Sequence, residues 1–330
     1  MARKVRVLAF CGLFLAASGC ASQARSRAAA LADGGSAVAK ATADSLVDTS
    51  AAVESYVEGQ LLLGPLTGRP EPGEETLASL RRLREALGAR AGVMRSLEAS
   101  YAALHALASF DAAGRVEKGL NALTASVNDY ERALGRKPVD AEGTWSLGKA
   151  GGALASAKQA RQLKAASVAI RASLERFVAL LGREKEIHVS LRTVLVETRG
   201  AAARQLWQLG LGRPGALLQP HVAGFGLAWD DRQLDPVLTL LRKEPSIDGS
   251  PGRSREDDLR DAVGKVLAYR VERQAALEAE VLDETLAGLE ALVLAHAAFE
   301  AKDEPDLVRL AELAAALRAT VDEYRDAAGK

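Results

Sequence analysis

Two histidine–glutamate pairs have a spacing that could place metal ligands on one face of a helix. Glu184 lies four residues before His188, and His296 lies four residues before Glu300. On two facing helices, these pairs could bind a metal ion in the core of a bundle. Di-metal carboxylate bundles, however, use Glu-x-x-His motifs with further glutamates, and this sequence has no Glu-x-x-His. A spacing of four is also that of an ordinary contact between helical turns, so we predict structural histidines and no metal site.

Other groups that could do chemistry lack the pattern that a reaction requires. Asp230, Asp231 and Asp235 follow Trp229, but they have neither the alternating ligands nor the central glycine and terminal glutamate of a calcium-binding loop. The sequence contains no Gly-x-Ser-x-Gly elbow and no His-Glu-x-x-His motif. We therefore predict no catalytic residues and no cofactor, and a hydrolase or metal enzyme is the third hypothesis for function.

The first 19 residues have the three parts of a secretory signal peptide. Three basic side chains lie between Met1 and Arg6, an apolar run of 11 residues extends from Val7 to Ala17, and small residues follow. The run is too short to cross a bilayer as a helix, which takes about 20 residues. We therefore predict a signal peptide at residues 1–19.

The end of the apolar run, Ala17-Ser18-Gly19-Cys20, resembles the lipobox of bacterial lipoproteins. The commonest lipobox has Leu at the position of Ala17. The resemblance implies that Cys20 becomes the first residue of the mature protein and carries acyl chains such as palmitate, which attach it to a membrane. In Gram-negative bacteria, Ala21 in place of Asp implies the outer membrane, on its periplasmic or surface face. The alternative is an ordinary signal peptide in which Cys20 has no role.

Composition restricts the partners of the mature chain. Basic and acidic residues number 43 each, and loss of the signal peptide leaves 40 basic against 43 acidic residues. This balance gives no long-range attraction to nucleic acid, which we predict is not a partner. The other cysteine, Cys11, lies in the signal peptide, so the rest of the chain has no thiol for disulfides or catalysis.

Residues 20–36 are small and polar and include Gly34 and Gly35. This composition predicts a flexible, lipidated tether. Residues 37–330 form the predicted helical domain.

The stretch from about Ser146 to Gly210 organises this domain. It contains no proline, and a stripe of heptad spacing runs along it: Leu163, Ile170, Leu174, Phe177, Leu181, Leu191, Leu195, Ala202 and Leu206. One helix cannot bury such a stripe by itself, so other helices must lie along it. Aromatic residues make up only 4% of the chain, which disfavours a β-sandwich or barrel. We predict an all-α fold, an elongated helical bundle of long heptad-patterned helices.

Further patterns place the other helices. Apolar stripes over residues 80–108 and 116–134 predict two antiparallel helices joined by a tight turn. The alternative is one kinked helix of about 60 residues, which is far longer than usual in a globular protein. Ser254 and Asp257 have the spacing of a capping box at the beginning of another long helix. Pro305 marks the start of the last helix.

Residues 210–252 differ from the helical stripes because five of the ten prolines lie there. We expect one short helix over residues 234–243. His221, Phe225 and Trp229 make this segment the candidate contact surface, since a few aromatic residues carry much of the binding energy in many interfaces. The alternative is a cap over one end of the bundle, with Phe225 and Trp229 inserted in the core.

These patterns lead to two main hypotheses for function. The first is a membrane-anchored lipoprotein of the cell envelope that acts as a non-catalytic helical scaffold or interaction protein, with a protein partner or a second copy of itself. The second is a periplasmic or surface module that binds an apolar ligand between helices. A continuous cavity would favour the second hypothesis, and polar groups clustered in that cavity would favour an enzyme.

Overall fold

The structure is a computed structural model that describes residues 22–44, 46, 56–58, 60–61, 73–109, 113–138, 155–209 and 234–328. These residues form helices and no β-strand, apart from an isolated bridge between Pro245 and Ser254. The prediction of an all-α helical bundle is confirmed.

Seven helices are described in chain order. Helix α1 covers residues 22–44, and residues 56–58 and 60–61 are also helical. The others are α2 (Glu74–Ser109), α3 (Ala113–Ala133), α4 (Ala155–Gln208), α5 (Leu234–Leu241), α6 (Arg255–Ala301) and α7 (Leu307–Ala328).

Helix α4 is the long helix that the heptad stripe predicts. Its 54 residues give a length of about 80 Å. The helix continues through Gly182, because an exposed glycine costs only roughly 1 kcal/mol relative to alanine and packing elsewhere along the helix offsets this cost. The described stripe residues that are buried are Leu163, Ile170, Leu174, Phe177, Leu181 and Ala202.

Helices α4 and α6 run antiparallel over most of their length. Arg171 pairs with Glu300 near one end, and Lys185 pairs with Asp283 further along. The indole N–H of Trp207 donates to the carbonyl of Arg260 at the other end. The residue numbers of the α6 partners thus decrease as those of α4 increase, so the two helices are antiparallel.

Helices α2 and α3 form the predicted antiparallel hairpin. Arg90 donates to the hydroxyl of Tyr130 at 2.8 Å, and the hydroxyls of Ser96 and Ser126 are 2.7 Å apart. Gly119 approaches the backbone of Ser100. The turn itself, at residues 110–112, lies outside the described residues.

The structure differs from the sequence-based expectation at residues 22–36, which we expected to be a tether. These residues are helical, and Ala28, Leu31 and Ala32 are buried in the core. Alanine is the best helix former, and small residues at helical spacing give α1 an apolar face. The helical domain therefore includes residues 22–36 and does not begin at residue 37.

The caps at both ends of α6 are well formed. The Asp257 carboxylate accepts hydrogen bonds from the backbone N–H and hydroxyl of Ser254, at 2.8 and 2.9 Å. At the other end, Lys302 adopts a left-handed conformation with φ 70°, and the N–H of Asp303 donates to the carbonyl of Ala298. These bonds satisfy backbone groups that a helix end leaves unpaired.

The molecule has a thick region and a thin region, which we call the body and the arm. The body comprises α1, α2, α3, α7, residues 155–183 of α4 and residues 277–301 of α6, which share one large apolar core. The arm comprises residues 197–208 of α4 together with residues 234–271, and its apolar cluster centres on Trp207 and Val263. Both long helices extend from the body into the arm.

None of the helices in the described parts of the chain combines the length and apolarity that are needed to cross a membrane.

Candidate functional site

Most of the residues that the sequence predicts to carry function lie in segments that the structure does not describe. Cys20, His221, Phe225 and Trp229 are outside the described residues. The lipid attachment site and the aromatic part of the contact surface therefore stay predictions.

The histidines that the structure describes have different environments. His105 is partly exposed and lies 3.6 Å from the carboxylate of Asp33, whereas His296 is completely buried. His188 lies on α4, but its side chain is outside the described residues. It lies about 30 Å along α4 from Ser167, which contacts His296. The two His–Glu pairs therefore do not come together.

His296 is the centre of a buried set of polar side chains from three helices. Its Nε2 is 2.9 Å from the hydroxyl of Tyr101 on α2, and its Nδ1 is 2.8 Å from the hydroxyl of Ser167 on α4. Glu300, one turn further along α6, contacts Ser167 at 3.2 Å and accepts hydrogen bonds from Arg171. We refer to these five residues as the polar cluster. It joins α2, α4 and α6 at one level of the body.

Helix α1 closes the polar cluster from a fourth side. Gly35 lies directly against the ring of Tyr101, and a Cβ atom at residue 35 would be 2.2 Å from that ring. The Tyr101 ring also stacks on the His296 ring, with centroids 5.7 Å apart and an angle of 25°. The absence of a side chain at Gly35 therefore lets α1 approach the ring pair closely.

The protonation states in the polar cluster follow from burial. Burial, with a smaller contribution from the nearby Arg171 charge, lowers the pKa of His296 from 6.5 to about 3. Burial also raises the pKa of Tyr101 above its ordinary value. At neutral pH the imidazole and the phenol are therefore both uncharged. The charges of the cluster belong to Glu300 and Arg171, which form an ion pair at its edge.

One arrangement of protons satisfies every group of the cluster. The Tyr101 hydroxyl donates to Nε2 of His296, and Nδ1–H of His296 donates to Ser167. The Ser167 hydroxyl then donates to Glu300. In this arrangement no proton and no imidazole nitrogen is left without a partner, which is what a buried network needs in order to be stable.

The Ser167–His296 contact has the distance of a nucleophile and its general base, but its surroundings do not suit catalysis. Tyr101, Ser167 and His296 each have an exposed fraction of 0%. A substrate atom must reach the nucleophile, and a nucleophilic hydroxyl must give its proton to the base. Here the Ser167 proton is directed at Glu300. The geometry indicates a network that fixes the position of three helices relative to one another.

Sequence reasoning found only part of this cluster. Tyr101 falls within the apolar stripe predicted over residues 80–108, and the His296–Glu300 pair was noted, but Ser167 and Arg171 were not identified. A signal for Ser167 exists, since the residue lies at the heptad spacing between Leu163 and Ile170, where apolar residues are expected. A small polar residue on such a stripe indicates a polar partner inside the bundle.

The described residues provide neither a metal site nor an enclosed ligand chamber in the two places where one could be expected, a cluster of ligating side chains and the cleft beside α7. Among the described residues, no three His, Cys, Asp or Glu side chains are close enough to share a metal ion. A cleft of about 200 Å³ lies between α6 and the beginning of α7, with Leu294 and Ala295 in its wall and Glu304 and Arg309 at its rim. It is open to solvent and is not the enclosed apolar chamber that a ligand between helices requires.

The end of the arm contains the described part of the predicted contact surface. We call residues 234–254 the tip. The predicted short helix is present as Leu234–Leu241. Three large apolar side chains of the tip point into solvent, with exposed fractions of 44% for Val237, 64% for Leu240 and 79% for Ile247. The tip thus combines a short helix with an apolar surface.

Ion pairs and hydrogen bonds fix the tip to the arm. The Glu256 carboxylate accepts from both Arg242 and Arg260, and the hydrogen bond from Arg242 is the main reason that the pKa of Glu256 falls to about 2. The Ser246 hydroxyl donates to Asp258 at 2.7 Å. The Arg260 guanidinium lies over the Trp207 ring at 5.9 Å. The exposed apolar side chains are therefore presented from a well-connected support.

Comparisons with known proteins give no further guidance, since no protein-family model, no curated protein and no solved structure matches this chain.

Proposed function

We propose that this chain is a lipoprotein of the cell envelope, anchored to a membrane through Cys20, and that its elongated bundle is a non-catalytic scaffold that binds a protein partner. If the cell is Gram-negative, the membrane is the outer membrane. The sequence Ala17-Ser18-Gly19-Cys20 after a short apolar run supports the anchor.

The closed polar cluster is the observation that carries the non-catalytic part of the proposal. Its Ser, His and Tyr side chains are the described groups best suited to chemistry, and all three are buried and paired. Substrates bind in accessible, concave sites. Full burial of this cluster favours a scaffold over an enzyme.

The tip supports the binding part of the proposal. Val237, Leu240 and Ile247 are exposed on a support that ion pairs hold in place. Exposed apolar side chains rimmed by polar residues are typical of protein–protein contact sites. We therefore place the partner contact at the tip, together with the aromatic residues Phe225 and Trp229 that precede it in the sequence.

Site-specific cross-linking in the intact envelope tests this proposal. A photo-reactive amino acid at Leu240 should produce one defined adduct with another protein. The same group at Glu312, which is exposed on α7 of the body, is the matched control and should not produce it. Adducts of equal yield and identity at both positions would mean that the tip is not the contact surface.

Lipid attachment has its own test. Replacement of Cys20→Ser should abolish the incorporation of labelled palmitate and release the protein from the membrane fraction. Equal labelling of the variant and the unaltered protein would refute the anchor.

A further inference from the structure

The position of α1 determines which end of the protein faces the membrane. The inference rests on the proposed anchor at Cys20. Only Ala21 lies between Cys20 and the first described residue of α1, Ser22. Consecutive Cα atoms are 3.8 Å apart, so the Cα atom of Cys20 lies within about 8 Å of that of Ser22. A lipid on Cys20 would therefore be tied closely to the beginning of α1.

The beginning of α1 is itself fixed in the body. Ala28, Leu31 and Ala32 are buried in the common core. The guanidinium of Arg27 donates to the carbonyl of Lys302 at 2.9 Å and to that of Asp303 at 3.4 Å. These contacts attach the first turns of α1 to the end of α6. The anchor is thus held by the folded bundle and not by a long flexible tether.

Several other helix ends meet at the same end of the body. Helix α2 ends there and α4 begins there, since the Gln159 amide donates to the carbonyl of Leu107. Helix α6 ends and α7 begins on either side of Lys302–Asp306. We call this surface, residues 22–27, 107–109, 158–161 and 301–306, the base. Helix α6 connects the base to the tip, and its 47 residues span about 70 Å.

Among the described residues, the long sides of the molecule present no continuous apolar surface on which it could lie. The large exposed apolar side chains of the described residues are most numerous in or next to the arm, at Leu209, Val237, Leu240, Ile247 and Tyr269, whereas the others are scattered at Leu61, Leu294 and Val308. A helix that lies in a membrane interface needs a continuous apolar face. The scattered residues on the described sides do not form one.

We infer that the base is a membrane-facing surface and that the protein stands on the lipid surface with its arm directed away from it. The tip then lies about 70 Å from the lipid headgroups. A partner protein would bind the tip at this distance from the membrane. The length of the α4–α6 pair determines the distance.

The cysteine content of the chain makes this orientation measurable. Cys11 leaves with the signal peptide and Cys20 carries the lipid, so an introduced cysteine is the one free thiol of the mature protein. Three exposed positions mark the height above the base: Glu304 at the base, Glu272 about 45 Å along α6, and Lys243 at the tip. Each single-cysteine variant is labelled with a donor fluorophore.

The experiment uses the full-length lipidated protein in phosphatidylcholine–phosphatidylglycerol vesicles that contain headgroup-labelled acceptor lipid. Energy transfer should be strongest from residue 304, weaker from residue 272 and weakest from residue 243. Equal transfer from all three positions would show that the molecule lies flat, and the reverse order would show that the tip contacts lipid. Either result would overturn the inferred orientation.

Flotation of the same vesicles separates this inference from the proposed function. A Cys20→Ser variant is the control and should not float with the lipid. If the unaltered protein has no acyl chain and does not float, the anchor itself is refuted, and the orientation with it. If it floats but shows equal transfer from the three positions, the anchor stands and only the orientation is refuted.

Discussion

The body and the arm are built from the same two long helices, but different interactions stabilise them. In the body, α4 and α6 are surrounded by α1, α2, α3 and α7, and large side chains such as Tyr101, Tyr130 and Phe177 are fully buried. In the arm, one small apolar cluster is supplemented by ion pairs around Glu256 and by the stacking of Arg260 on Trp207. Burial of a large apolar core contributes far more free energy than a few ion pairs between a buried carboxylate and partly exposed arginines do. We therefore expect the arm to open before the body unfolds.

The largest expected effect comes from truncating one large aromatic residue in each region. Phe177→Ala removes a side chain that is 1% exposed in the body, and we expect a loss of about 3–5 kcal/mol in the free energy of unfolding. Trp207→Ala in the arm should change the melting temperature much less, because the arm can open locally. Differential scanning calorimetry measures the first effect, and amide hydrogen exchange confined to the arm measures the second.

Tyr269→Ala is the control for this pair, since Tyr269 is 63% exposed on the arm and should cost less than about 0.5 kcal/mol. A similar loss of global stability in Phe177→Ala and Trp207→Ala would mean that body and arm unfold as one unit.

The body and the arm also differ in the pH range over which they lose stability. The pKa of His296 is about 3 in the body and 6.5 in the unfolded chain, so the unfolded state binds the additional proton between these values. Stability is then lost as the pH falls below about 6.5, by up to about 1.4 kcal/mol per pH unit. In the arm, the pKa of Glu256 is lowered from 4.5 to about 2. The contribution of Glu256 to stability is fully present above pH 4.5 and is lost as the pH falls from 4.5 towards 2.

Chemical denaturation between pH 7 and 4 tests this difference. His296→Gln keeps an amide that can donate and accept but removes the titration, so stability should depend less on pH in this range. Val308→Ala, at an exposed valine of α7 that carries no titratable group, is the control and should retain the pH dependence of the unaltered protein. An unchanged pH dependence in His296→Gln would contradict the role assigned to burial.

Glycine contacts provide a third and smaller comparison. A Cβ atom on Gly35 would be 2.2 Å from the Tyr101 ring in the body, and one on Gly200 would be 2.2 Å from a methyl group of Val271 in the arm. The Tyr101 ring is held by stacking and a hydrogen bond in the large core of the body, whereas Val271 lies in the thinner arm, where the two helices can separate slightly. We expect Gly35→Ala to cost about 1–3 kcal/mol and Gly200→Ala to cost less, as measured by urea denaturation.

Gly34→Ala is the matched control for Gly35→Ala, because its nearest side-chain atom, on Leu310, is at an ordinary 3.6 Å. It should be neutral or stabilising through its higher helix propensity. Equal effects of the two alanines would show that the contact of Gly35 with Tyr101 does not determine the position of α1.

The smallest expected effect is a gain in the body. Lys302 has φ 70° at the end of α6, a conformation that glycine adopts without strain. The left-handed conformation costs other residues about 1–2 kcal/mol, and the chain entropy of glycine offsets about 0.5–1 kcal/mol of that relief, so Lys302→Gly should raise the free energy of unfolding by about 0.5–1 kcal/mol. Lys302→Ala retains the strain and should give no gain. Thermal unfolding of both variants measures the difference, and a gain in Lys302→Ala alone would exclude backbone strain as the reason.

The sequence predicts the long helices well because heptad spacing is a local property. The stripe from Leu163 to Leu181 and the capping pair Ser254–Asp257 can be read without knowledge of the rest of the chain, and both are present in the structure. The heptads of α4 do not reveal which turns have many neighbours and which have few. The division into body and arm was therefore visible only in three dimensions.

Residues whose role depends on a distant partner were harder to predict. The composition around Gly35 predicted a flexible segment. Gly35 is instead buried against Tyr101, and no local pattern in the sequence links these two positions. Ser167 joins a hydrogen-bonded network only because His296 and Glu300 reach it from another helix. The aromatic residues of segment 210–252 lie outside the described residues, so their role rests on sequence reasoning.

The contact between Arg27 and Lys302 joins positions that are 275 residues apart in the chain. Helix α1 is synthesised before the other described helices, yet the core that buries it includes residues of α6 and α7, which emerge only after α2, α3 and α4. Contacts of such long range form only after the intervening chain has been made. The body therefore cannot complete its folding while the chain is still emerging. For the exported lipoprotein that we propose, this order of events would keep the chain open, and hence transportable, until α6 and α7 are available.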